Sequence, residues 1–252
     1  MPSPSPRPPA TTPTTLLEAI PGHRPLAIAH RAGNHAALAE RAIAHGADLL
    51  ETDVWLHRDI LEVRHDERVT LFGWPLPLLH DGWRLHWMSR SLRRIESLLD
   101  ETPIDTRLFL DLKGTSPLLG ERLVEWITHY QPERHIIVCG RSWEQLDAIE
   151  GLPNVVAIYS VGDAGELAAF WDHVGQLDYP AISLNHRLAT PEVIARLKAM
   201  HALVICWTVN DGERLEALRA LGVDGFTTDR LDLIDRIVRE RTPVPGEEAG
   251  SA

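Results

Sequence analysis

The sequence predicts an α/β fold, a single (β/α)8 TIM barrel with a short Trp/Pro-rich insertion after its second strand. The chain has 252 residues, about the length at which an eight-fold barrel closes as one domain. Short apolar runs rich in β-branched residues alternate with segments of helical periodicity, which is typical of βα units around a parallel sheet. An apolar content of 44% is sufficient for the core of such a barrel.

The individual elements follow from that alternation. Each predicted strand is a short apolar run that ends at a polar or turn residue. The eight strands are predicted at residues 26–30, 49–54, 108–112, 136–139, 155–159, 181–184, 203–208 and 225–227. The eight helices are predicted at residues 36–45, 91–99, 118–129, 142–149, 164–171, 191–200, 212–221 and 231–239. Thr190 before Pro191, and Asn210-Asp211 before the next helix, are N-cap signals that indicate where two of these helices begin.

One stretch interrupts the alternation. Residues 60–65 indicate a further short strand, and residues 70–88 are rich in Trp, Pro and Leu. Loops that follow barrel strands build the active site in this architecture, so the insertion is predicted to be a substrate lid. The lid residues would be Trp74, Trp83, His86 and Trp87. The alternative is that the insertion packs over the barrel mouth as a satellite core.

The ends of the chain are predicted to lie outside the barrel. Residues 1–20 indicate a disordered tail rich in Pro, Ser and Thr, residues 21–240 the barrel domain, and residues 241–252 a flexible C-terminal tail. The N-terminal segment lacks the apolar stretch of a signal peptide, and no run reaches the roughly 20 apolar residues that span a bilayer. We therefore expect a cytoplasmic protein without stable membrane insertion.

Charge and cysteine content exclude several classes of function. The formal net charge of -11 argues against general affinity for nucleic acids or for anionic membranes. Cys139 and Cys206 are the only cysteines, and both lie in predicted strands, which indicates buried thiols rather than a disulfide or a soft-metal site. Any cations that bind a phosphate must therefore be clustered locally.

Residues that can carry chemistry stand at the ends of predicted strands. Four motifs do so: Ala29-His30-Arg31, Glu51-Thr52-Asp53, His65-Asp66 and Asp111-Leu112-Lys113. Side chains two positions apart on a strand share a face, so each motif that spans two positions presents its charged groups together. Carboxylates of this kind can bind a hard divalent metal, the two cations can hold a phosphate, and histidines can move protons near neutral pH.

These motifs resemble those of the glycerophosphodiester phosphodiesterase family. The resemblance extends over residues 26 to about 232 and includes two later motifs, Trp207-Thr208-Val209-Asn210 and Asp224-Gly225-Phe226-Thr227-Thr228-Asp229. It implies hydrolysis of a small-molecule or lipid-derived glycerophosphodiester to glycerol 3-phosphate and an alcohol, with one Mg²⁺ or Ca²⁺ ion as cofactor. The implied site residues are the metal ligands Glu51, Asp53 and Asp111, the acid/base pair His30 and His65, the phosphate-binding Arg31 and Lys113, and the pocket-lining Trp207.

The sequence also departs from the family pattern. The P-E-N-T turn of the family is absent, and Asn34 and His35 stand in its place, where we expect them near the mouth. Ala32 replaces a glycine, which matters if that position needs a positive φ. Asp111 replaces the usual glutamate, so a metal must lie closer to its strand or take an extra water.

Several alternatives remain open at this point. The motifs Glu51-Thr52-Asp53 and Asp111-Leu112-Lys113 also resemble the phospholipase D toxins of spider venoms, which makes cleavage of lysophospholipids or sphingomyelin, with a cyclic phosphate as product, the alternative function. A non-catalytic barrel that binds a phosphate ligand is the second alternative. Asp111 and Lys113 can form a structural ion pair, and Trp207 can belong to the core. Arg141 and Asn185 follow predicted strands and are further residues that can reach a substrate.

Overall fold

The structure is a computed structural model that describes residues 25–241 except 73, 82–83, 88–92, 103–105, 150 and 178–179. In these ranges the strands are β1 (Leu26–Ala29), β2 (Leu49–His57), β3 (Ile60–Val63), β4 (Glu67–Leu71), β5 (Trp74–Asp81), β6 (Arg84–Trp87), β7 (Arg93–Arg94), β8 (Arg107–Leu112), β9 (Ile136–Gly140), β10 (Val155–Val161), β11 (Ala181–Asn185), β12 (Leu203–Trp207) and β13 (Gly225–Thr228). The helices are α1 (Ala36–Ala44), α2 (Ile95–Glu101), α3 (Leu118–Tyr130), α4 (Glu144–Asp147), α5 (Ala164–His173), α6 (Pro191–Ala199), α7 (Gly212–Ala220) and α8 (Leu231–Arg239).

Eight parallel strands close into a barrel. Strands β8 to β13 are neighbours in sequence order, β13 pairs with β1, and β8 pairs with β2. Pairing of β1 with β2 closes the ring. The predicted (β/α)8 barrel is therefore confirmed, and each of the eight predicted strands overlaps one barrel strand. The predicted helix at 91–99 is wrong at its beginning, because Arg93 and Arg94 form β7 on the edge of β3 and the helix begins at Ile95.

The barrel has an apolar interior and a polar mouth. Its buried inner layer consists of Leu26, Ile28, Leu49, Phe109, Ile137, Cys139, Val156, Ile158, Ala181, Leu203 and Ile205. A second, larger apolar cluster lies between the strands and the helices. Because strand side chains alternate between faces, the next inward position after Leu49 is Glu51, and the next after Phe109 is Asp111. The change from apolar to polar side chains thus occurs at the carboxyl ends of the strands, where barrels of this type place their active sites.

The segment between β2 and β8 contains two structures. Strand β3 folds back antiparallel on β2, as the pattern at residues 60–65 predicts. Strands β4, β5 and β6 form a separate three-stranded antiparallel sheet. Trp74 and Trp87 on this sheet are 73% and 75% exposed, so the alternative that they pack as a satellite core is wrong. Trp83 and the side chain of His86 lie outside the described residues, and a lid function stays a prediction.

Other sequence-based expectations concern caps, thiols and chain ends. Thr190 accepts a hydrogen bond from the Val193 N–H (3.3 Å) and Asp211 from the Arg214 N–H (2.7 Å), which confirms both N-caps. Both cysteines are free and buried, as predicted. The predicted tails at residues 1–20 and 241–252 lie outside the described residues, apart from Arg241. Across the described ranges, no helix has the length and apolar character needed to cross a membrane.

Candidate active site

A cavity of about 260 Å³ opens at the carboxyl ends of the barrel strands, and we call it the mouth cavity. Its lining residues are His30, Arg31, Glu51, His65, Phe109, Asp111, Lys113, Cys139, Arg141, Ser160, Ser183, Trp207, Thr208 and Thr227. They include seven of the eight predicted site residues, and the eighth, Asp53, is buried beside the lining and paired with Lys113. A larger groove of about 790 Å³ lies on the outer surface near Arg122 and Trp126 and contains none of the eight.

Glu51, Asp53 and Asp111 form one carboxylate cluster. Strands β2 and β8 are parallel and in register, with Asp53 opposite Asp111 and Glu51 two positions earlier on the same face. One oxygen atom of each carboxylate lies within 4.8 Å of the others. Glu51 and Asp53 are buried, whereas Asp111 is partly exposed to the cavity. Three convergent carboxylates form an oxygen donor set that a hard divalent cation prefers.

The electrostatics of Glu51 indicate an uncompensated negative charge in this cluster. Burial raises the pKa of Glu51 well above its ordinary value, and the carboxylates of Asp53 and Asp111 raise it further. The Lys113 ammonium and the backbone N–H of Arg31 lower the same pKa without cancelling the increase. A divalent cation would supply the missing positive charge, so the residues present fit a metal site.

Lys113 lies between two of these carboxylates. Its Nζ atom is 2.8 Å from Asp53 Oδ1 and also contacts Asp111 Oδ2. Burial acts to lower the pKa of Lys113, but Asp111 and Asp53 outweigh burial and raise that pKa above its ordinary value. Lys113 is therefore a permanent cation in the wall of the cavity. The structure contains the ion pair of Asp111 and Lys113 that the sequence analysis gave as an alternative. Both residues also line the mouth cavity.

Arg31 is positioned by a left-handed turn after β1. Its φ is 53° and its ψ is 14°, its N–H donates to a Glu51 carboxylate oxygen, and its Nε lies 4.0 Å from Asp53 Oδ2. The positive φ falls on Arg31 and not on Ala32, which begins a short 3-10 turn and is buried. Alanine in place of the family's glycine at position 32 therefore causes no strain of this kind.

Asn34 has a more specific place than the sequence indicates. Its Nδ2 donates to Asp53 Oδ2 (2.6 Å), and its Oδ1 accepts from the Asp53 N–H (3.0 Å). These two bonds fix the Asp53 carboxylate within the cluster. The neighbouring Gly33 leaves no room for a side chain, because a Cβ atom there would lie 1.7 Å from Thr52 Oγ1. His35 is exposed at the start of α1 and does not line the mouth cavity.

Both predicted catalytic histidines have an aspartate at Nδ1. His30 Nδ1 donates to Asp229 Oδ1 (2.6 Å), and His65 Nδ1 lies 2.9 Å from Asp66 Oδ1. The hydrogen bond from His30 is the largest cause that holds the pKa of Asp229 at about 2. Asp229 is therefore ionised at neutral pH and can only accept, so the His30 proton resides on Nδ1. This leaves His30 Nε2 as the nitrogen that can exchange a proton with a substrate.

Asp229 is itself held in place. Asn210 Nδ2 donates to Asp229 Oδ2 (2.6 Å), and Asn210 Oδ1 accepts from the Asp229 N–H (2.9 Å). The sequence motifs contain Asp66, Asp229 and Asn210 but give them no role, because their contacts with the histidines or with each other form only in the fold. Adjacent motif positions were the one available signal for Asp66 and His65.

The loop that carries His65 is held by contacts with Trp55 and Arg64. Trp55 Nε1 donates to the His65 carbonyl (3.3 Å), and the Arg64 guanidinium stacks over the Trp55 ring at 4.5 Å. Arg64 also donates to the Asp66 carbonyl and, over 2.9 Å, to Glu62 Oε2. The His65–Asp66 pair therefore rests on a packed and hydrogen-bonded base.

The opposite wall of the mouth cavity carries short hydroxyl side chains and Trp207. Trp207 Nε1 donates to the Ser183 carbonyl (2.9 Å), which holds the indole in the lining. Ser160 and Ser183 were missed in the sequence because a hydroxyl residue inside an apolar run gives no signal of function. Thr227 stands in one of the sequence motifs but was given no role. Arg141 lines the cavity with its guanidinium paired to Asp163 and Glu166.

Two further residues lie in or near the mouth cavity. Asn185 donates to the Gly162 carbonyl (3.2 Å), and it is not part of the lining. Cys139 Sγ donates to Asp111 Oδ1 at 3.5 Å, and burial raises the pKa of this thiol well above its ordinary value. Cys139 therefore stays a neutral thiol next to the carboxylate cluster.

Comparison with known proteins identifies the family. Residues 110–233 match the model of the Glycerophosphoryl diester phosphodiesterase family, and this stretch contains Asp111, Lys113, Trp207 and Asp229. A protein of Mycobacterium tuberculosis named Probable glycerophosphodiester phosphodiesterase 2 is 26% identical over 228 residues, which cover 80% of this chain and 83% of that protein. The family model and this relative both indicate the glycerophosphodiester phosphodiesterase family. They support a phosphoric diester hydrolase by class.

Two solved structures share the fold of this chain. The enzyme from Thermotoga maritima superposes with a TM-score of 0.64 at 18% identity, covering 84% of this chain and 98% of that chain. A phosphodiesterase from Oleispira antarctica, in complex with the product sn-glycerol-3-phosphate, superposes with a TM-score of 0.68 at 18% identity, covering 86% and 97%. At this level of identity the likeness shows a common barrel architecture.

Proposed function

We propose that this member of the family hydrolyses glycerophosphodiesters to glycerol 3-phosphate and an alcohol. The observation that carries the proposal is the single mouth cavity, which brings both histidines, the carboxylate cluster and two cations together. Glu51, Asp53 and Asp111 would hold one divalent cation, Mg²⁺ or Ca²⁺. The Oleispira antarctica structure, which contains sn-glycerol-3-phosphate, supports the same product for this chain.

Arg31 and Lys113 bind and orient the phosphodiester. A phosphodiester is an anion that repels nucleophiles, and negative charge builds on its non-bridging oxygens in the transition state. Both cations lie in the cavity wall, so they can share that charge without moving. When bound, the divalent cation supplies Lewis-acid polarisation of a phosphoryl oxygen.

His30 and His65 transfer the protons. One histidine accepts a proton from the nucleophile, which is water or a neighbouring hydroxyl of the substrate, and the other donates a proton to the leaving alkoxide. Each transfer contributes roughly 10² to 10⁴ in rate. Asp229 and Asp66 fix the tautomer of each ring, so that both present Nε2 for proton exchange.

A second candidate is phospholipase D-like cleavage of a lipid phosphodiester, such as a lysophospholipid. The exposed aromatic side chains of the β4–β6 sheet favour this candidate, because a hydrolase of small polar diesters has no need of them. The non-catalytic alternative is disfavoured, because the cavity brings together both histidines of the acid/base pair and the carboxylate cluster.

Turnover of glycerophosphocholine tests the proposal. Purified protein with Mg²⁺ or Ca²⁺ is expected to release glycerol 3-phosphate and choline, and a chelator is expected to abolish the activity. Glu51→Ala is expected to be inactive, whereas Glu133→Ala, an exposed glutamate in the loop before β9, keeps full activity. Failure to cleave any member of a phosphodiester panel, or activity indifferent to chelator and to Glu51→Ala, would refute the proposal.

A further inference from the structure

The β4–β6 sheet has one face that carries large apolar side chains. In the antiparallel register Leu71 lies opposite Trp74, and Leu85 lies opposite His80. Residues directly opposite each other project from the same face, and alternate residues of one strand do so as well. The register of β4 and β5 shifts between Arg68 and Thr70, and the extra residues lie on β5, so the alternation is followed along β4. Glu67 lies opposite His80 and is an even number of positions from Leu71 on β4. Leu71, Trp74 and Leu85 therefore share one face.

Trp87 lies on the same face. It follows Leu85 at the next-but-one position of β6, and alternate residues of a strand project from one face. We call Leu71, Trp74, Leu85 and Trp87 the insertion face. Phe72 lies in the turn between β4 and β5 at the edge of this face.

The insertion face is exposed to solvent. Trp74 and Trp87 were described above, Leu71 and Leu85 are 53% and 63% exposed, and Phe72 is 94% exposed. Of the eight large apolar side chains that are exposed in the described part of the chain, these are five. A concentration of this kind on one sheet face marks a binding surface rather than scattered surface variation.

The charge of the segment suits a particular partner. Residues 67–87 contain two acidic and two basic residues and so have no formal net charge, while the whole chain has -11. An anionic bilayer would repel the chain as a whole. A zwitterionic phospholipid surface would not, and Trp and Leu side chains insert readily at the level of its head groups.

The position of the sheet relates it to the mouth cavity. Strand β4 begins two residues after His65. Arg68 on β4 donates to the buried Glu62 on β3, and Glu62 also pairs with Arg64, which supports the His65 loop. The sheet is therefore fixed to the same base that holds a predicted catalytic histidine. Among the described residues, none of those in β4, β5 or β6 lines the mouth cavity.

We propose that the insertion face docks on aggregated zwitterionic phospholipid and brings the mouth cavity to the phosphodiester head groups of lipid molecules. The substrate part of this inference rests on the proposed function and narrows it to lipid phosphodiesters such as lysophosphatidylcholine. The docking part rests on the exposure and the charge of the sheet and not on the proposed function.

Vesicle binding tests the docking part. Full-length protein is mixed with phosphatidylcholine vesicles and floated on a density gradient, and the wild type is expected to float with them. The variant Trp74→Ser/Trp87→Ser is expected to bind at least about tenfold more weakly. The control Leu118→Ser/Tyr130→Ser removes two exposed apolar side chains from the ends of α3 and is expected to bind as the wild type does.

An activity comparison tests the substrate part. Trp74→Ser/Trp87→Ser is expected to keep its turnover of water-soluble glycerophosphocholine and to lose at least about tenfold on micellar lysophosphatidylcholine. Wild-type protein that floats with vesicles but cleaves no phosphodiester would refute the proposed function and leave docking intact.

Four outcomes would overturn the docking inference. They are absence of wild-type binding to phosphatidylcholine vesicles, equal binding by the double variant, and binding only to vesicles that contain phosphatidylglycerol. The fourth is a wild-type dimer in light scattering that the double variant converts to a monomer without any vesicle binding, because a second copy would then occupy the face. An equal loss on soluble and micellar substrates would overturn the substrate part, because it would assign the sheet to closure over the cavity.

Discussion

His30 Nδ1 lies 2.6 Å from Asp229 Oδ1, and the other oxygen of that carboxylate accepts from Asn210. Asn210 therefore fixes the aspartate, and the aspartate fixes the imidazole. Asp229 is not among the lining residues of the mouth cavity, so we propose that it is a positioning residue that acts through His30.

Asp229→Asn is expected to lower kcat by roughly 10² to 10⁴. The amide would donate to His30 Nδ1 and move the ring proton to Nε2, which is the wrong tautomer for a base. Steady-state kinetics on glycerophosphocholine should show the loss in kcat with little change in KM. Asp232→Asn, at an exposed aspartate paired with Arg230, serves as the control and should leave both constants unchanged. A kcat within twofold of the wild type would contradict the assigned role.

Asp229 also predicts a difference in acid stability. The folded-state pKa of about 2 is lower than the ordinary value of 3.8, so ionised Asp229 stabilises the fold above the pKa of the unfolded chain. That contribution is lost as the pH falls from about 4 towards 2. After allowance for solvent screening of this half-exposed group, it amounts to about 1 kcal/mol. Urea unfolding at pH 6 and pH 3 should show wild type and Asp229→Asn converging at the lower pH, and a constant difference would argue against this pairing.

Glu51→Gln separates the role of Glu51 in metal binding from its effect on the stability of the metal-free protein. The raised pKa of Glu51 means that the folded state holds its proton to higher pH than the unfolded chain, so the metal-free protein loses stability as the pH rises through that window. The amide side chain of the variant has no charge to bury and should raise the Tm of metal-free protein at pH 8. Excess Mg²⁺ or Ca²⁺ should raise the wild-type Tm by roughly 5 to 10 °C at 100 times Kd and leave the variant unchanged. Equal metal-induced shifts in both proteins would remove Glu51 from the ligand set.

Arg31→Met tests phosphate binding more directly than a substitution of Lys113 would. Lys113 also neutralises Asp53 and Asp111, so its removal would disturb the cluster itself. Loss of the Arg31 guanidinium should reduce kcat/KM by roughly 10² to 10³ with little change in Tm. Arg187→Met, at an exposed arginine after β11, is the matched control. An unchanged kcat/KM for Arg31→Met would show that Lys113 suffices.

Gly33→Ala tests the tight contact behind the carboxylate cluster. The added Cβ would lie 1.7 Å from Thr52 Oγ1, so the variant should lose about 1 to 3 kcal/mol of unfolding free energy. Adding Thr52→Ala should recover part of that loss. Gly175→Ala meets no atom within 4 Å and should stay within about 0.5 kcal/mol of the wild type. Similar stabilities for the two alanine variants would show that the backbone at Gly33 can move.

The sequence predicted those features that follow from local periodicity. Alternation along β2 places Glu51 and Asp53 on one face, and the apolar runs mark all eight barrel strands. Contacts between distant segments were not predictable in this way. Asn34 and Asp53 lie 19 positions apart, and Asp229 lies 199 positions from His30, so neither contact leaves a local pattern.

The β4–β6 sheet was missed for a different reason. Strand β5 contains Pro75 and Pro77, and proline cannot donate to a sheet ladder, so the pattern there does not indicate a strand. Both prolines precede the part of β5 that pairs with β6, and the register of β4 and β5 shifts around Pro77. The start of α2 was misplaced because Arg93 and Arg94 extend the edge of β3, which is a tertiary pairing that helical periodicity cannot reveal.

The pairing of β1 with β2 extends over two positions only, Ile28 with Leu49 and Ala29 with Leu50. Side chains extend this seam in both directions, since Asp48 accepts from the Ala27 N–H (2.7 Å) and Glu51 accepts from the Arg31 N–H. Glu51, a proposed metal ligand, thus also links β1 to β2. We expect the backbone amides of β1 and β2 to exchange their hydrogens faster in metal-free than in metal-bound protein, while exchange in the other barrel strands stays slow.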